Sequence, residues 1–334
     1  MRALVLHGPG NLEVTRVPEP VPEPGEVLIS VRAAGICGTD RHIVAGDLPV
    51  PPGTIPGHEV AGVIVKGVGE WEPGRRVLSY GQVVCGECRS CRDGASHRCR
   101  RPQVLGMSRP GGFAEAIAVP ASLLVAVPDK VPDEIAAVTP DALATPYHAL
   151  VAVGRITAGE AVVIVGTGGV GLQAVALAKH LGAGTIVAVD PSAPARQAAL
   201  AAGADHAVDP ADGDAPKAIH AATGGADLAL ECVGRAESVE LAMGTLAPGG
   251  RLVVVGVGHD RPRLPPLLRF VAGEYAVLGS FGSTIAEIEH LLATMASGGL
   301  DVPHAVSRTV DLDDASAVFR EPPTPGRTVI RIPE

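Results

Sequence analysis

A chain of 334 residues with a net charge of −9 is long enough for two domains with substantial cores, and its scattered basic residues argue against a nucleic-acid footprint. No stretch approaches the roughly twenty apolar residues of a membrane span, and the N-terminal MRALVLHGPG has too short an apolar run for a secretory signal. A cytoplasmic protein is therefore expected, without membrane contact. Ala, Val, Gly and Pro dominate and aromatic residues are few, which fits tight small-residue packing but names no function.

Residues 1–135 read as short β segments broken by Gly and Pro. Apolar runs at 27–31 and 60–65 are strand candidates, with turns at Pro24-Gly25 and Pro73-Gly74. From about residue 143 the texture alternates. Strands are expected at 161–165, 185–190, 226–232, 251–257 and 276–280, with helices at 170–181 and 195–202; a helix over 285–296 and a β tail close the chain. Strands alternating with helices imply βαβ units and a parallel sheet. The expected fold class is α/β in two domains. A β-rich one comprises residues 1–142 and 284–334, and a doubly wound parallel sheet occupies 143–283, with the active site in the cleft between them.

Cys85, Cys88, Cys91 and Cys99 crowd into fifteen residues of a segment rich in Gly, Ser, Arg and Asp. Such a segment cannot build a core of its own. Four thiolates at this spacing suit a closed tetrahedral Zn²⁺ site, which holds structure and performs no chemistry. Two disulfides would require an oxidising compartment, and nothing in the chain argues for export. Cys232 lies in an apolar strand-like run and reads as a buried, inert thiol.

The predicted strand at 161–165 runs straight into Gly166-Thr167-Gly168-Gly169-Val170-Gly171 and an apolar helix. Gly166 permits the tight turn, Gly168 lets backbone approach a pyrophosphate, and Gly171 allows close helix–strand packing. Gly169 and Val170 complete a loop whose helix N-terminus favours phosphate charge. Asp190 follows at the end of the next strand. A carboxylate there accepts hydrogen bonds from a ribose and repels a 2′-phosphate, so NAD is expected over NADP.

Cys37 in Gly35-Ile36-Cys37-Gly38-Thr39-Asp40-Arg41-His42 and His58 in Gly57-His58-Glu59 are unremarkable singly. Together with Gly62, the cysteine lobe, Gly112-Phe113-Ala114-Glu115, the glycine loop and the run from Asp141 through Thr145-Pro146-Tyr147-His148-Ala149, they resemble the zinc-containing medium-chain alcohol dehydrogenase family (secondary alcohol, polyol and threonine dehydrogenases) over nearly the whole chain. The resemblance implies a GroES-like β-rich catalytic domain, a Rossmann domain and two Zn²⁺ per chain. Cys37, His58 and Asp141 would hold a catalytic zinc, with Glu59 adjacent as an exchanging ligand. One thiolate and one carboxylate roughly neutralise the metal and leave a position where an alcohol's pKa falls, so that hydride can leave to the nicotinamide. Thr39 would receive the alcohol proton, His42 would pass it to solvent, and Asp40 would orient His58. Thr145 would sit beside the nicotinamide, with Arg196, Val233, Val255 and Val257 also lining the cofactor. Two departures from the family pattern, Val68 between Gly67 and Gly69 and Arg75 in the Pro73-Gly74 turn, lie away from these residues.

Leu78-Ser79-Tyr80-Gly81-Gln82-Val83-Val84 precedes the cysteine lobe, where relatives line the substrate cleft. Gln82 favours an alcohol with further hydroxyl or amino groups, because a buried amide left unpaired is costly. The Asp141 segment pulls the other way, towards small hydrophobic secondary alcohols. Three functions are open at this point: an NAD-dependent zinc dehydrogenase of an alcohol or ketone, a zinc-free reductase on the same fold, and a non-enzymatic dinucleotide sensor. Cys37, His58 and Asp141 speak against the second, and Thr39 with His42 against the third. An apolar strand at 276–283 predicts a homodimer or homotetramer through edge pairing.

Overall fold

The computed structural model describes residues 1–333. β1 (Arg2–Gly8) and β2 (Asn11–Arg16) form an antiparallel hairpin whose turn places Gly10 at φ +74°. β3 (Glu26–Ile36) is buried along nearly its whole length, as its almost unbroken apolar run requires, and it organises the first sheet. It pairs antiparallel with β4 (Glu59–Lys66), which in turn pairs with β5 (Arg76–Ser79). Two short strands, β6 (Gln82–Val83) and β7 (Gln103–Val104), pair with each other and flank the cysteine lobe. β8 (Ala116–Pro120) pairs with the first half of β3, and β9 (Leu124–Ala126) with β5.

The second sheet contains β10 (Ala161–Val165), β11 (Thr185–Val189), β12 (His206–Val208), β13 (Ala226–Glu231), β14 (Leu246–Val254) and β15 (Ala276–Gly279). All its pairings are parallel, in the order β12-β11-β10-β13-β14-β15. The run AVVIV of β10 shows no alternation because helices cover both faces. The strand order reverses between β10 and β13, which creates the crevice where such sheets bind ligands. β14 starts five residues earlier than its apolar pattern suggests, since Gly249 at φ +80° interrupts that pattern, and it ends before Val255.

The chain then returns. β16 (Val306–Asp311) and β17 (Arg327–Arg331) rejoin the first sheet, and β17 pairs antiparallel with β3 through Thr328 opposite Ile36. That register brings Arg327 alongside Cys37. The sheets are joined by a helical run that reads Asp133–Val138, a π turn over Thr139–Leu143, Ala144–His148 and a second π turn over Ala149–Val153. Asp141 sits inside the first π turn, a distortion common at functional positions. The 142/143 boundary expected from texture falls within this run. At the departure noted around Val68, the Arg75 guanidinium lies over the Trp71 ring at 4.5 Å, which gives the altered turn its own packing. No helix among the described residues is long and apolar enough to cross a membrane.

Candidate active site and metal centres

Strand register assembles the reactive cluster. Gly35 of β3 faces Glu59 of β4, so Cys37 and His58, each just beyond a strand end, meet at one mouth of the sheet. Gly35 must lack a side chain, because a Cβ there would lie 1.9 Å from Glu59 Oε2. Cys37 caps the helix Gly38–Ala45, and its amide donates to Asp40 Oδ2 at 2.8 Å. The other Asp40 oxygen accepts the Gly57 amide at 3.3 Å and faces His58 Nδ1 at 3.4 Å, without a hydrogen bond to it among the described residues. From the helical run, Asp141 Oδ2 comes to 3.0 Å from Cys37 Sγ and 3.9 Å from His58 Nε2. Ligand atoms of Cys37, His58, Glu59 and Asp141 all lie within 4.8 Å of one another. A buried Glu59 Oε2 with no hydrogen-bond partner among the described residues adds a spare donor to this set. Thiolate, imidazole and carboxylate in one cluster are zinc donors, so the residues fit that metal.

Arg327 completes the cluster and was not anticipated from sequence. Its guanidinium is buried and donates to Glu59 Oε1 at 2.9 Å, Asp141 Oδ2 at 2.6 Å and Cys37 Sγ at 3.4 Å. It also abuts the glycine loop: a Cβ on Gly169 would lie 1.9 Å from Nη1. Arg327 thus brings one positive charge to a cluster of three acidic side chains, Cys37, Glu59 and Asp141. Burial pushes the Cys37 thiol up, against the pull of Arg327. Burial likewise pushes Glu59 up to about 8 despite Arg327. For Asp141, burial is outweighed by the His58 hydrogen bond and Arg327, which hold it well below the usual carboxylate range. For His58, burial is outweighed by Asp40, Asp141 and Cys37, which raise it well above its ordinary value. A metal bound here must therefore displace protons from its ligands.

Thr39 and His42 lie on the helix Gly38–Ala45, three residues apart and so on one face. Thr39 Oγ1 is 3.8 Å from Cys37 Sγ, whereas His42 is exposed and pairs with Asp47 at 3.0 Å. Thr145 donates its hydroxyl to Asp141 Oδ1 at 3.1 Å, one helical turn away. Gly81 packs against His58, since a Cβ there would meet the His58 carbonyl at 3.0 Å, and Gln82 follows it in the chain. The buried Gln82 Oε1 has no partner among the described residues.

In the cysteine lobe, Sγ–Sγ separations are 3.5 Å for Cys88–Cys91, 3.5 Å for Cys85–Cys99 and 4.0 Å for Cys85–Cys91. A tetrahedron with Zn–S bonds of about 2.3 Å has edges of about 3.8 Å, so the sulfurs fit one zinc ion. All six cysteines are free thiols. Amide donors push Cys88 down to about 6, and the Cys85 and Arg101 amides each donate to Cys99 Sγ at 3.4 Å. Cys232 is partly covered, and burial with the neighbouring Glu231 charge raises its thiol far above the range of a reactive one.

The glycine loop leads from β10 into the helix Gly171–His180, with Gly166 at φ +86°. A Cβ on Gly171 would strike the Gly166 carbonyl at 1.8 Å, whereas one on Gly168 would meet nothing within 4 Å, leaving that backbone open to a phosphate. Asp190 sits just past β11. Its Oδ2 accepts the Thr167 amide at 2.8 Å and hydroxyl at 3.3 Å, and its Oδ1 accepts the Ser192 amide at 2.9 Å. Arg196 donates to the Asp190 carbonyl at 2.7 Å and to Asp209 Oδ2 at 2.8 Å. Val233, Val255 and Val257 lie on the loops after β13 and β14, across the crevice from Asp190.

Residues 169–297 match the zinc-binding dehydrogenase family model, and residues 23–129 match that of the alcohol dehydrogenase GroES-like domain. The chain is 33% identical to the L-threonine 3-dehydrogenase of Rhizobium rhizogenes strain K84, over 96% of its own length and 94% of the relative's. A zinc-binding dehydrogenase from Sinorhizobium meliloti 1021, bound to NADP, superposes with a TM-score of 0.91 at 31% identity, covering 99% of both chains. An alcohol dehydrogenase from Thermus sp. ATN1 does so with a TM-score of 0.92 at 30% identity, covering 100% of both. Sheet order, glycine loop and paired donor clusters have the same origin: the chain belongs to the zinc-containing medium-chain alcohol dehydrogenase family, an α/β fold of GroES-like and Rossmann domains.

Proposed function

We propose that this chain is an NAD-dependent zinc alcohol dehydrogenase whose substrate is a secondary alcohol, or the matching ketone, with an additional hydroxyl or amino group. The observation that carries the reading is the gathering of Cys37, His58, Asp141 and Glu59 at one sheet mouth, linked by Arg327 to the glycine loop. Cys37, His58 and Asp141 would hold one zinc ion, and Cys85, Cys88, Cys91 and Cys99 a second, structural one. The first supplies Lewis-acid chemistry, lowering the pKa of a bound alcohol. Asp40 keeps His58 oriented towards the metal position. Thr39 takes the substrate proton, and His42, one helical turn on, hands it to solvent. Glu59, held by Arg327, would be the further carboxylate beside that zinc, available as an exchanging ligand.

The catalytic part comprises residues 1–142 and 284–334, the cofactor part 143–283, and the reaction takes place between them. The glycine loop holds the pyrophosphate, Asp190 the adenosine ribose, and Thr145, Val233, Val255 and Val257 line the rest of the cofactor. Preference for NAD follows from Asp190 and from Arg196, whose guanidinium is engaged with Asp209 and not free to bind a 2′-phosphate. The unpaired Gln82 Oε1 favours a substrate that brings an N–H or O–H donor, in keeping with the threonine dehydrogenases among its relatives. The test is initial-rate reduction of NAD by the zinc-loaded protein over amino alcohols, polyols and plain 2-alkanols. Higher kcat/KM for the first two, reversed by Gln82→Leu, supports the reading. Higher kcat/KM for the alkanols makes it a dehydrogenase of small hydrophobic alcohols, and NAD binding without turnover on any alcohol makes it a sensor.

A further inference from the structure

We infer that Glu231 is the positioning residue of the cofactor crevice, fixing through one side chain and one carbonyl the two loops that face the glycine loop. The inference rests on the reading of that crevice as a dinucleotide site. Glu231 ends β13 and is fully buried, and no Lys, Arg or His pairs with it among the described residues. The register sets it opposite Val165, the last residue before Gly166, so it stands at the reversal of strand order. Its Oε1 accepts the amides of Val233 and Gly234, both at 2.8 Å, and the Ser238 hydroxyl at 2.6 Å. Its main-chain carbonyl accepts the amides of Val255 at 2.8 Å and Gly256 at 3.0 Å. Five donors from the chain after β13 and the loop after β14 thus converge on one residue.

Those loops leave no slack. A Cβ on Gly234, which has φ +85°, would come within 2.6 Å of the Val257 carbonyl carbon, and one on Gly258 within 1.9 Å of the Gly234 carbonyl oxygen. Val233 in turn reaches the glycine loop, because a Cβ on Gly166 would lie 2.4 Å from Val233 Cγ2. The Glu231 carboxylate therefore sets where Val233 stands relative to Gly166, and hence the width of the crevice. Loss of that acceptor strands two amides and frees the loop to move. Gln keeps an acceptor oxygen at the same reach, whereas Ala does not.

The experiment is NADH titration of the zinc-loaded full-length chain, with hydrogen exchange read at the 233–234 amides and unfolding temperature and zinc content measured on the same samples. Glu231→Ala should raise the NADH Kd about tenfold and speed exchange at these amides, while Glu231→Gln should stay within about threefold of wild type. Ser238→Ala removes a single donor and should weaken binding by about threefold. Wild-type affinity in Glu231→Ala, or a Glu231→Gln variant as weak as Glu231→Ala, overturns the inference. Should Glu231→Ala fail to fold, Ser238→Ala decides, since unchanged affinity and exchange there also overturn it. A wild-type protein that binds no NADH sinks the cofactor reading and this inference together, whereas tight binding indifferent to Glu231 sinks this inference alone.

Discussion

Replacing Asp190 by Ser tests how the chain tells NAD from NADP. The carboxylate is held at the end of β11 by the Thr167 and Ser192 amides, at 2.8 and 2.9 Å, so it cannot swing away from an incoming ligand. A 2′-phosphate about 5 Å from it would meet roughly 3 kcal/mol of repulsion per unit charge at an effective dielectric of about 20. That corresponds to about two decades in kcat/KM. Arg196 gives no relief while it donates to Asp209 at 2.8 Å. Asp190→Ser removes the charge and the ribose acceptor together. NAD kcat/KM should fall about tenfold or more, NADP kcat/KM should rise, and their ratio should collapse by about two decades. The assay is initial rates with each cofactor at one saturating alcohol concentration. A wild-type preference for NADP, or an unchanged ratio in the variant, refutes the reasoning.

Three further outcomes are expected. His42→Ala should slow alcohol oxidation about tenfold to a hundredfold near neutral pH and be partly rescued by imidazole buffer, whereas Thr39→Ala should cost more and resist rescue; full activity of His42→Ala at every pH would leave His42 as a surface residue paired with Asp47. Glu287 accepts from His148 Nδ1 at 2.8 Å and from the Thr284 amide at 2.7 Å, and these bonds, against the opposing effect of burial, lower its carboxyl below the ordinary value. A depressed folded pKa adds stability above the unfolded value of about 4.3 that is lost as pH falls through the folded value. Glu287→Gln should therefore cost about 1–2 kcal/mol at neutral pH and progressively less in acid, and a penalty independent of pH in urea titrations would contradict this. β15 is a sheet edge with Val277 exposed, and Leu267, Leu268 and Val271 are 71%, 84% and 69% exposed nearby, so pairing with a second copy is expected. Light scattering should find a dimer or tetramer in the native protein and a smaller species for Val277→Lys; a wild-type monomer at micromolar concentration would rule the interface out.

What could be read before folding was local. Cys85 to Cys99 and Gly166 to Gly171 are short-range patterns whose spacing carries the chemistry, and β10, β11 and the helix Ile285–Ala296 follow from unbroken apolar runs or a clear helical segment. Cys37, His58 and Asp141 became candidates only through family resemblance, because each residue type alone has many ordinary uses. Arg327 stayed invisible since its partner Cys37 is 290 residues away and the contact depends on β17 pairing with β3. The π turn around Asp141 was equally hidden, as Pro140 suggests a helix start and not a distortion within a longer run. Glu231 reads as an ordinary acid at a strand end, and only the fold shows five donors turned towards it.

The measurement that bears most directly on the account is NAD reduction followed against zinc content as metal is withdrawn by a chelator and then restored. The undepleted protein should hold two zinc ions per chain. Activity should fall with loss of the ion held by Cys37, His58 and Asp141 while the fold persists, and should return on its replacement. Withdrawal of the second, from the cysteine lobe, should cost folding stability, because its binding is part of the folding free energy. Cys37→Ser should hold one zinc ion, stay folded and reduce no NAD. Full turnover by a protein with one zinc ion or none, or by Cys37→Ser, would contradict the assignment.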